Sequence, residues 1–162
     1  MAAAAGLEQG PIDLPGPTGE SNRWSLAPRG IVLCLGPTGN QALEQAVQAL
    51  ATGNVVVAVS PDARQALAPL IASEFPIVAF NGRIDSDALL SLTVDCVASA
   101  GGDLAGYRQA LAGRSGAIVP FVTQLRSPSS YAHERAVCVD TTASGGNAAL
   151  LAKVGGEDIR AA

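Results

Sequence analysis

The residues best suited to chemistry in this chain lie at positions 34–41, with the sequence "CLGPTGNQ". A short apolar run leads through glycines into a helix-like block, where free N–H groups and the helix dipole can hold a phosphate. The segment lacks the G-x-G-x-x-G spacing of dinucleotide sites and the lysine of the G-x-x-x-x-G-K-[ST] loop. The next strand should end in an acid for a ribose, but it ends in Ser60-Pro61-Asp62. A tight turn is favoured, with nucleotide binding by residues 36–41 as the alternative.

Nucleophiles and metal ligands are scarce in the sequence. His133 is the only histidine, which excludes a multi-histidine metal site, and no neighbouring residue completes a triad with it. The three cysteines, Cys34, Cys96 and Cys138, lie in apolar stretches without C-x-x-C spacing. Burial there raises the pKa of a thiol and makes it unreactive. We therefore expect buried, reduced thiols, no catalytic residue, and no metal or cofactor bound by this chain.

Composition narrows the class of protein further. The 162 residues suit one domain, and a core of 48% hydrophobic but only 4% aromatic residues must be built from Ala, Val, Leu and Ile. A net charge of -4 and scattered Lys and Arg argue against a nucleic-acid partner. No segment approaches the roughly 20 apolar residues of a membrane span, and the N terminus has no signal-like pattern. We expect a cytoplasmic protein.

From residue 31 onward, strand-like and helix-like blocks alternate. The predicted strands are 31–35, 54–59, 76–80, 92–98 and 117–123. Pro120 places the last of these at an edge of the sheet. This spacing predicts an α/β fold with a doubly wound (Rossmann-like), mostly parallel sheet of about five strands.

The predicted helices lie between these strands. Residues 41–51 carry an apolar stripe at helical spacing and stop at Gly53. Ser60 is expected to cap a second helix with Pro61 at its first position, and Pro69 should kink or end that helix. Asp103 should cap a third, which Gly113 stops.

Outside this pattern, residues 1–30 are so rich in Pro and Gly that we expect an extended connector without a strand ladder, anchored to a surface by Trp24. The Rossmann-like domain is expected at 31–124. Residues 125–162 are expected to form a projecting β-ribbon (flap), in which 135–141 alternates, followed by a small-residue-rich C-terminal tail.

Two segments carry a family resemblance: "IDLPGPTGESNRWSLAPRGIVLCLGP" (12–37) and "HERAVCVDTTASGGNAALLA" (133–152). Together they resemble the C-terminal region of proline utilization A, a bifunctional enzyme that uses FAD and NAD to oxidise proline to glutamate. The resemblance implies a non-catalytic domain with the fold of an aldehyde dehydrogenase NAD-binding domain, thought not to bind NAD itself. The ribbon would imitate the oligomerisation flap of a dehydrogenase partner subunit.

The same resemblance implies that the terminal motif covers the semialdehyde site and the channel between the two active sites. By match to the motif, the residues involved are Thr141, Thr142, Gly145, Gly146, Asn147 and Leu150. The implied partner is the aldehyde dehydrogenase module, in the same or a separate chain, with self-association through the ribbon as a further expectation. The alternatives are a free-standing nucleotide-binding α/β domain and a catalytically dead structural dimer module.

Overall fold

The computed structural model describes residues 10–140, which divide into two compact units. Residues 27–133 form an α/β unit, and residues 10–26 with 134–140 form the second unit. Two short 3-10 helices, Ser86–Leu90 and Pro128–Tyr131, accompany the regular elements. In chain order the strands and α-helices are β1 (Ile12–Leu14), β2 (Glu20–Pro28), β3 (Ile31–Cys34), α1 (Gly39–Ala51), β4 (Val55–Ser60), α2 (Ala63–Ala66), α3 (Ala68–Ala72), β5 (Ile77–Asn81), β6 (Cys96–Ala98), α4 (Leu104–Ala112), β7 (Phe121–Val122) and β8 (Ala132–Asp140).

The α/β unit is built on a five-stranded sheet in the order β5-β4-β3-β6-β7, and its four pairings are all parallel. The chain moves outward from β3 through β4 to β5, then returns to the other side of β3 with β6. The switch point of this doubly wound sheet therefore lies between the carboxyl ends of β3 and β6. The predicted fold class is confirmed, and β7, directly after Pro120, is the predicted edge strand.

Small side chains let α1 approach the sheet closely. Ala42, Ala46 and Ala49 are fully buried and pack in one cluster with Val32 and Val56. The opposite face of the sheet has its own apolar cluster, to which Leu33 and Val97 contribute from the strands and Ala110 from α4. The core is thus made of aliphatic residues on both faces, as the composition predicted.

Helix boundaries agree with the sequence at Gly53, Pro69, Asp103 and Gly113 but not at Ser60 and Pro61, since α2 begins at Ala63. The Asp103 carboxylate accepts a hydrogen bond from the Gly106 N–H at 2.9 Å at the start of α4, and Gly113 ends that helix. The helical segment around Pro69 is broken into α2 and α3, as expected. The prediction for Ser60 was wrong, because β4 continues through Ser60 and Asp62 takes the N-cap position of α2. Pairing with β5 outweighed the capping propensity of the serine.

The prediction of a connector without a strand ladder was also wrong. β1 pairs antiparallel with β2, so that Trp24, expected outside any sheet, is a strand residue opposite Ile12. The two strands are further joined by the Arg23 Nε and Asp13 Oδ1 atoms at 2.9 Å. β8 joins the same sheet in the order β1-β2-β8 and is not a sixth strand of the main sheet, as predicted. Pro15 and Pro17 lie between β1 and β2, and Pro28 is the last residue of β2, so these prolines remove few N–H groups from the ladder.

Within the part of the chain that the structure describes, no helix is both long and apolar enough to cross a membrane.

The side chain of Asn54 connects three segments of the α/β unit. Its Oδ1 accepts a hydrogen bond from the Gly30 N–H at 3.0 Å, just before β3. Its Nδ2 donates to the carbonyl oxygens of Ala49 at 3.0 Å and Tyr131 at 2.9 Å, and lies 2.8 Å from the Thr52 hydroxyl. Asn54 is only 1% exposed, so water cannot replace these bonds.

We predict that Asn54→Ala lowers the free energy of unfolding by about 2 to 3 kcal/mol, because it leaves buried backbone groups without partners. Urea denaturation followed by circular dichroism measures the loss. Asn40→Ala is the matched control: Asn40 is exposed on α1, and its replacement should change stability by less than about 0.5 kcal/mol. Equal stability of the two variants would contradict a structural role for the Asn54 amide.

Candidate functional site

The loop between β3 and α1 contains the segment that the sequence marked as a possible phosphate site. Thr38 is the N-cap residue of α1, and its hydroxyl accepts a hydrogen bond from the Gln41 N–H at 3.3 Å. The same hydroxyl donates to the Gln41 side-chain Oε1 at 3.0 Å. One of the N–H groups that a phosphate could use is therefore already occupied by the cap.

A cavity of about 300 Å³ lies beside this helix start. Asp62 is its one charged lining residue, and no lysine or arginine among the described residues lines it. A carboxylate at this position opposes the approach of a phosphate. The lining residues are Thr38, Gly39, Asn40, Asp62, Gln65 and Ala66.

Both glycines of the loop are required by the packing of the chain itself. A Cβ atom on Gly36 would collide with the backbone of Gln41 and Ala42 in the first turn of α1. A Cβ on Gly39 would lie 2.8 Å from the Asp62 carbonyl oxygen and 3.0 Å from the Ala66 Cβ. The glycines that suggested a phosphate loop thus have a full structural explanation without a ligand.

Hydrogen bonds join the loops that follow β3 and β6 at the switch point of the sheet. The Leu35 N–H donates to the Ala98 carbonyl at 2.7 Å, which extends the β3–β6 ladder past the strand ends. The buried Ser99 hydroxyl lies 3.0 Å from the Leu35 carbonyl oxygen and 2.7 Å from that of Gly101. Pro37 covers Gly101 so closely that a Cβ there would lie 3.2 Å from the proline Cγ. Ligands of open α/β sheets bind in this crevice, and here these contacts join the two loops that border it.

Sequence reasoning missed Ser99 and Gly101 as residues of this region. The available signal was the run Ser99 to Gly102 directly after a short buried strand, the position at which switch-point loops occur.

Two of the three thiols are buried beneath α1. Burial raises the pKa of Cys34 far above its usual range, and the neighbouring Cys96 adds to the effect. Burial raises the pKa of Cys96 to about 11, an effect that Arg29 partly offsets. The buried Tyr131 belongs to the same cluster, and burial, with Cys34 and Cys96 nearby, raises the pKa of its phenol. Protonated thiols are poor nucleophiles, so these cysteines act as core residues.

Cys138 and His133 lie on β8, and both are exposed. The expectation that all three cysteines are buried was therefore wrong for Cys138, because β8 belongs to the small second sheet and not to the main core. No group of three or more His, Cys, Asp or Glu residues within 10–140 could hold a metal ion. The tail residues Thr141, Thr142, Gly145, Gly146, Asn147 and Leu150 lie outside the described residues.

We predict that stability falls as the pH rises above 9.0, the value at which an unperturbed thiol releases its proton. In that range the folded chain keeps the thiol protons that the unfolded chain loses. Each buried thiol then costs about 1.4 kcal/mol of stability per pH unit until its folded pKa is reached. Below pH 9.0 the thiols contribute no pH dependence.

Urea titrations at several pH values test this through the difference between variants. Cys34→Ala should reduce the slope of stability against pH in the alkaline range. Val32→Ala, a truncation of a fully buried neighbour on the same strand, should lower stability at every pH and leave the slope unchanged. An unchanged slope in Cys34→Ala would contradict the assignment.

Comparisons with known proteins agree with this fold. No model of a protein family matches the sequence. The chain is 34% identical over 160 residues to the bifunctional protein PutA of Escherichia coli strain K12, and equally to that of Salmonella typhimurium strain LT2. The match covers 85% of this chain and 11% of each PutA, so the chain spans only a small part of these curated relatives.

Solved structures, several of them of aldehyde dehydrogenases, share the fold. An NAD-dependent benzaldehyde dehydrogenase from Corynebacterium glutamicum superposes with a TM-score of 0.54 at 19% identity, covering 69% of this chain and 28% of that one. PnpE in complex with nicotinamide adenine dinucleotide gives a TM-score of 0.57 at 20% identity, covering 74% and 27%. The chain is thus a PutA-related domain with the fold of an aldehyde dehydrogenase segment, as its two terminal motifs implied.

Proposed function

We propose that this chain is a non-catalytic accessory domain of a PutA-type enzyme, which stabilises the aldehyde dehydrogenase module and covers its semialdehyde site. The observation that carries the proposal is the 34% identity to PutA over 85% of the chain. PutA is described as bifunctional, and the matched segment is 11% of it, so its reactions would belong to the rest of that protein. FAD and NAD would be cofactors of that remainder.

The described residues support a role without chemistry of its own. The thiols of the α/β unit are buried and held protonated, and His133 is exposed on a strand without an orienting partner among the described residues. The loop from Gly36 to Gln41 is occupied by its own cap and packing contacts. We therefore propose that the fold of an NAD-binding domain is kept here as a scaffold.

The ribbon supports a role in contact with another surface. Among residues 10–140, β8 lies at the edge of the second sheet, and eight of its nine residues are partly or fully exposed, including the apolar Val137. A three-stranded sheet with so little buried side-chain area gains most of its stability from a docking partner. Backbone groups on the free edge of such a strand readily pair with another chain.

The same exposed strand could also pair with a second copy of this chain, which would make the domain a structural dimer module. The match to PutA favours the dehydrogenase module as the partner. The terminal motif from Thr141 to Leu150 would then continue from the ribbon over the semialdehyde site.

We predict that the chain, added in trans to a PutA truncated before its "LPGPTGE"-like segment, raises the rate of glutamate formation from proline. Less semialdehyde should escape when the tail covers the site. Gly146→Val should abolish the gain, since a β-branched side chain blocks close backbone approach and disfavours φ > 0. Coupled NAD reduction and trapping of free semialdehyde with o-aminobenzaldehyde measure the two quantities.

Gly155→Val, which places the same side chain beyond the motif, is the matched control and should rescue as the unaltered chain does. Equal rescue by Gly146→Val would refute the covering role of the tail. If no variant rescues while all are folded by circular dichroism, the structural dimer module becomes the better description.

A further inference from the structure

Within residues 10–140, the backbone groups on the outer edge of β7 form no hydrogen bonds. The Val97 N–H donates to the Pro120 carbonyl and the Ser99 N–H to the Val122 carbonyl, each at 2.9 Å. In a trans peptide the N–H points opposite to the preceding C=O, so the N–H groups of Phe121 and of Thr123, which directly follows β7, point away from β6. No strand of residues 10–140 pairs with that side.

The proline next to this edge does not protect it. Proteins commonly blunt an edge by placing the missing N–H of a proline on the outside. Here the Pro120 carbonyl points toward β6, so the missing N–H also lies on the β6 side. The outer side of the strand therefore retains every donor it would have with any other residue at position 120.

Arg29 lies beside this edge, and no carboxylate among the described residues forms an ion pair with it. Arg29 lines a cavity of about 320 Å³, and its Nε donates to the Ser130 carbonyl at 2.8 Å, which fixes the guanidinium in place. Its two terminal amino groups have no hydrogen-bond or ion-pair partner among residues 10–140. The other lining residues are Pro120, Phe121, Val122, Thr123, Gln124 and Ser130.

Although β7 is short, its side chains hold it in position. The Phe121 ring meets the Tyr107 ring edge to face, with centroids 6.2 Å apart, and the Arg108 guanidinium lies 5.7 Å from the same ring. Val122 is buried in the core on the other face of the sheet. A preorganised edge loses little entropy when another strand pairs with it.

We propose that an extended segment of polypeptide with an acidic side chain adds to the sheet along the outer edge of β7 and places its carboxylate on Arg29. Backbone pairing with Phe121 and Thr123 supplies affinity, and the guanidinium selects the carboxylate, which it can bind through two parallel hydrogen bonds. PutA extends far beyond the 11% that this chain matches and could supply such a segment. The proposal does not depend on the covering role of the tail.

The test uses the full chain and two blocked peptides, acetyl-Thr-Val-Glu-Val-Thr-amide and its counterpart with Gln in place of Glu. Titrations followed by ¹H–¹⁵N correlation spectra report each backbone amide separately. We expect saturable shifts at Phe121 and Thr123 with the Glu peptide. The Gln peptide should bind about tenfold more weakly, as expected for loss of a charged hydrogen-bond pair.

Arg29→Gln should remove the preference for Glu over Gln, while Arg83→Gln, at an exposed arginine on the loop after β5, should retain it. Shifts that avoid Phe121 and Thr123, or equal affinity of the unaltered chain for both peptides, would overturn the proposal. The comparison of peptides on the unaltered chain stands even if Arg29→Gln perturbs the contact with Ser130.

Discussion

The α/β unit depends on the hydrogen bonds of the buried Asn54 side-chain amide. Four polar groups from three segments meet at this one side chain, which is itself only 1% exposed. Gly30, directly before β3, and Tyr131, at the end of the 3-10 helix that follows β7, are thereby joined through one side chain.

A second constraint acts at the opposite ends of the strands. Pro37, Ser99 and Gly101 join the loops that follow β3 and β6. In a cofactor-binding sheet these loops would stay apart to admit the ligand. Here Ser99 and Pro37 hold the two loops in contact, which supports the proposed role of the domain as a scaffold.

Hydrophobic periodicity and the positions of Gly and Pro were enough to predict the parallel sheet, because short Val-rich runs bounded by glycine are typical of buried strands. They failed where tertiary contacts outweighed local preference. Ser60 lies in β4 because β5 pairs with it. Residues 20–28, in which Pro28 is the only proline, form β2 because β1 and β8 pair with them. The hydrogen bonds of Asn54 and Ser99 join residues far apart in sequence, so no local sequence pattern predicts them. The tail motif was found by resemblance alone.

Calorimetric titration of the folded chain with NAD tests the central claim most directly. A domain that keeps the fold as a scaffold should give no saturable heat up to millimolar NAD, under conditions in which an NAD-dependent aldehyde dehydrogenase binds. Saturable binding at a stoichiometry of one NAD per chain would contradict the account, since it would require the crevice between β3 and β6 to open for a cofactor.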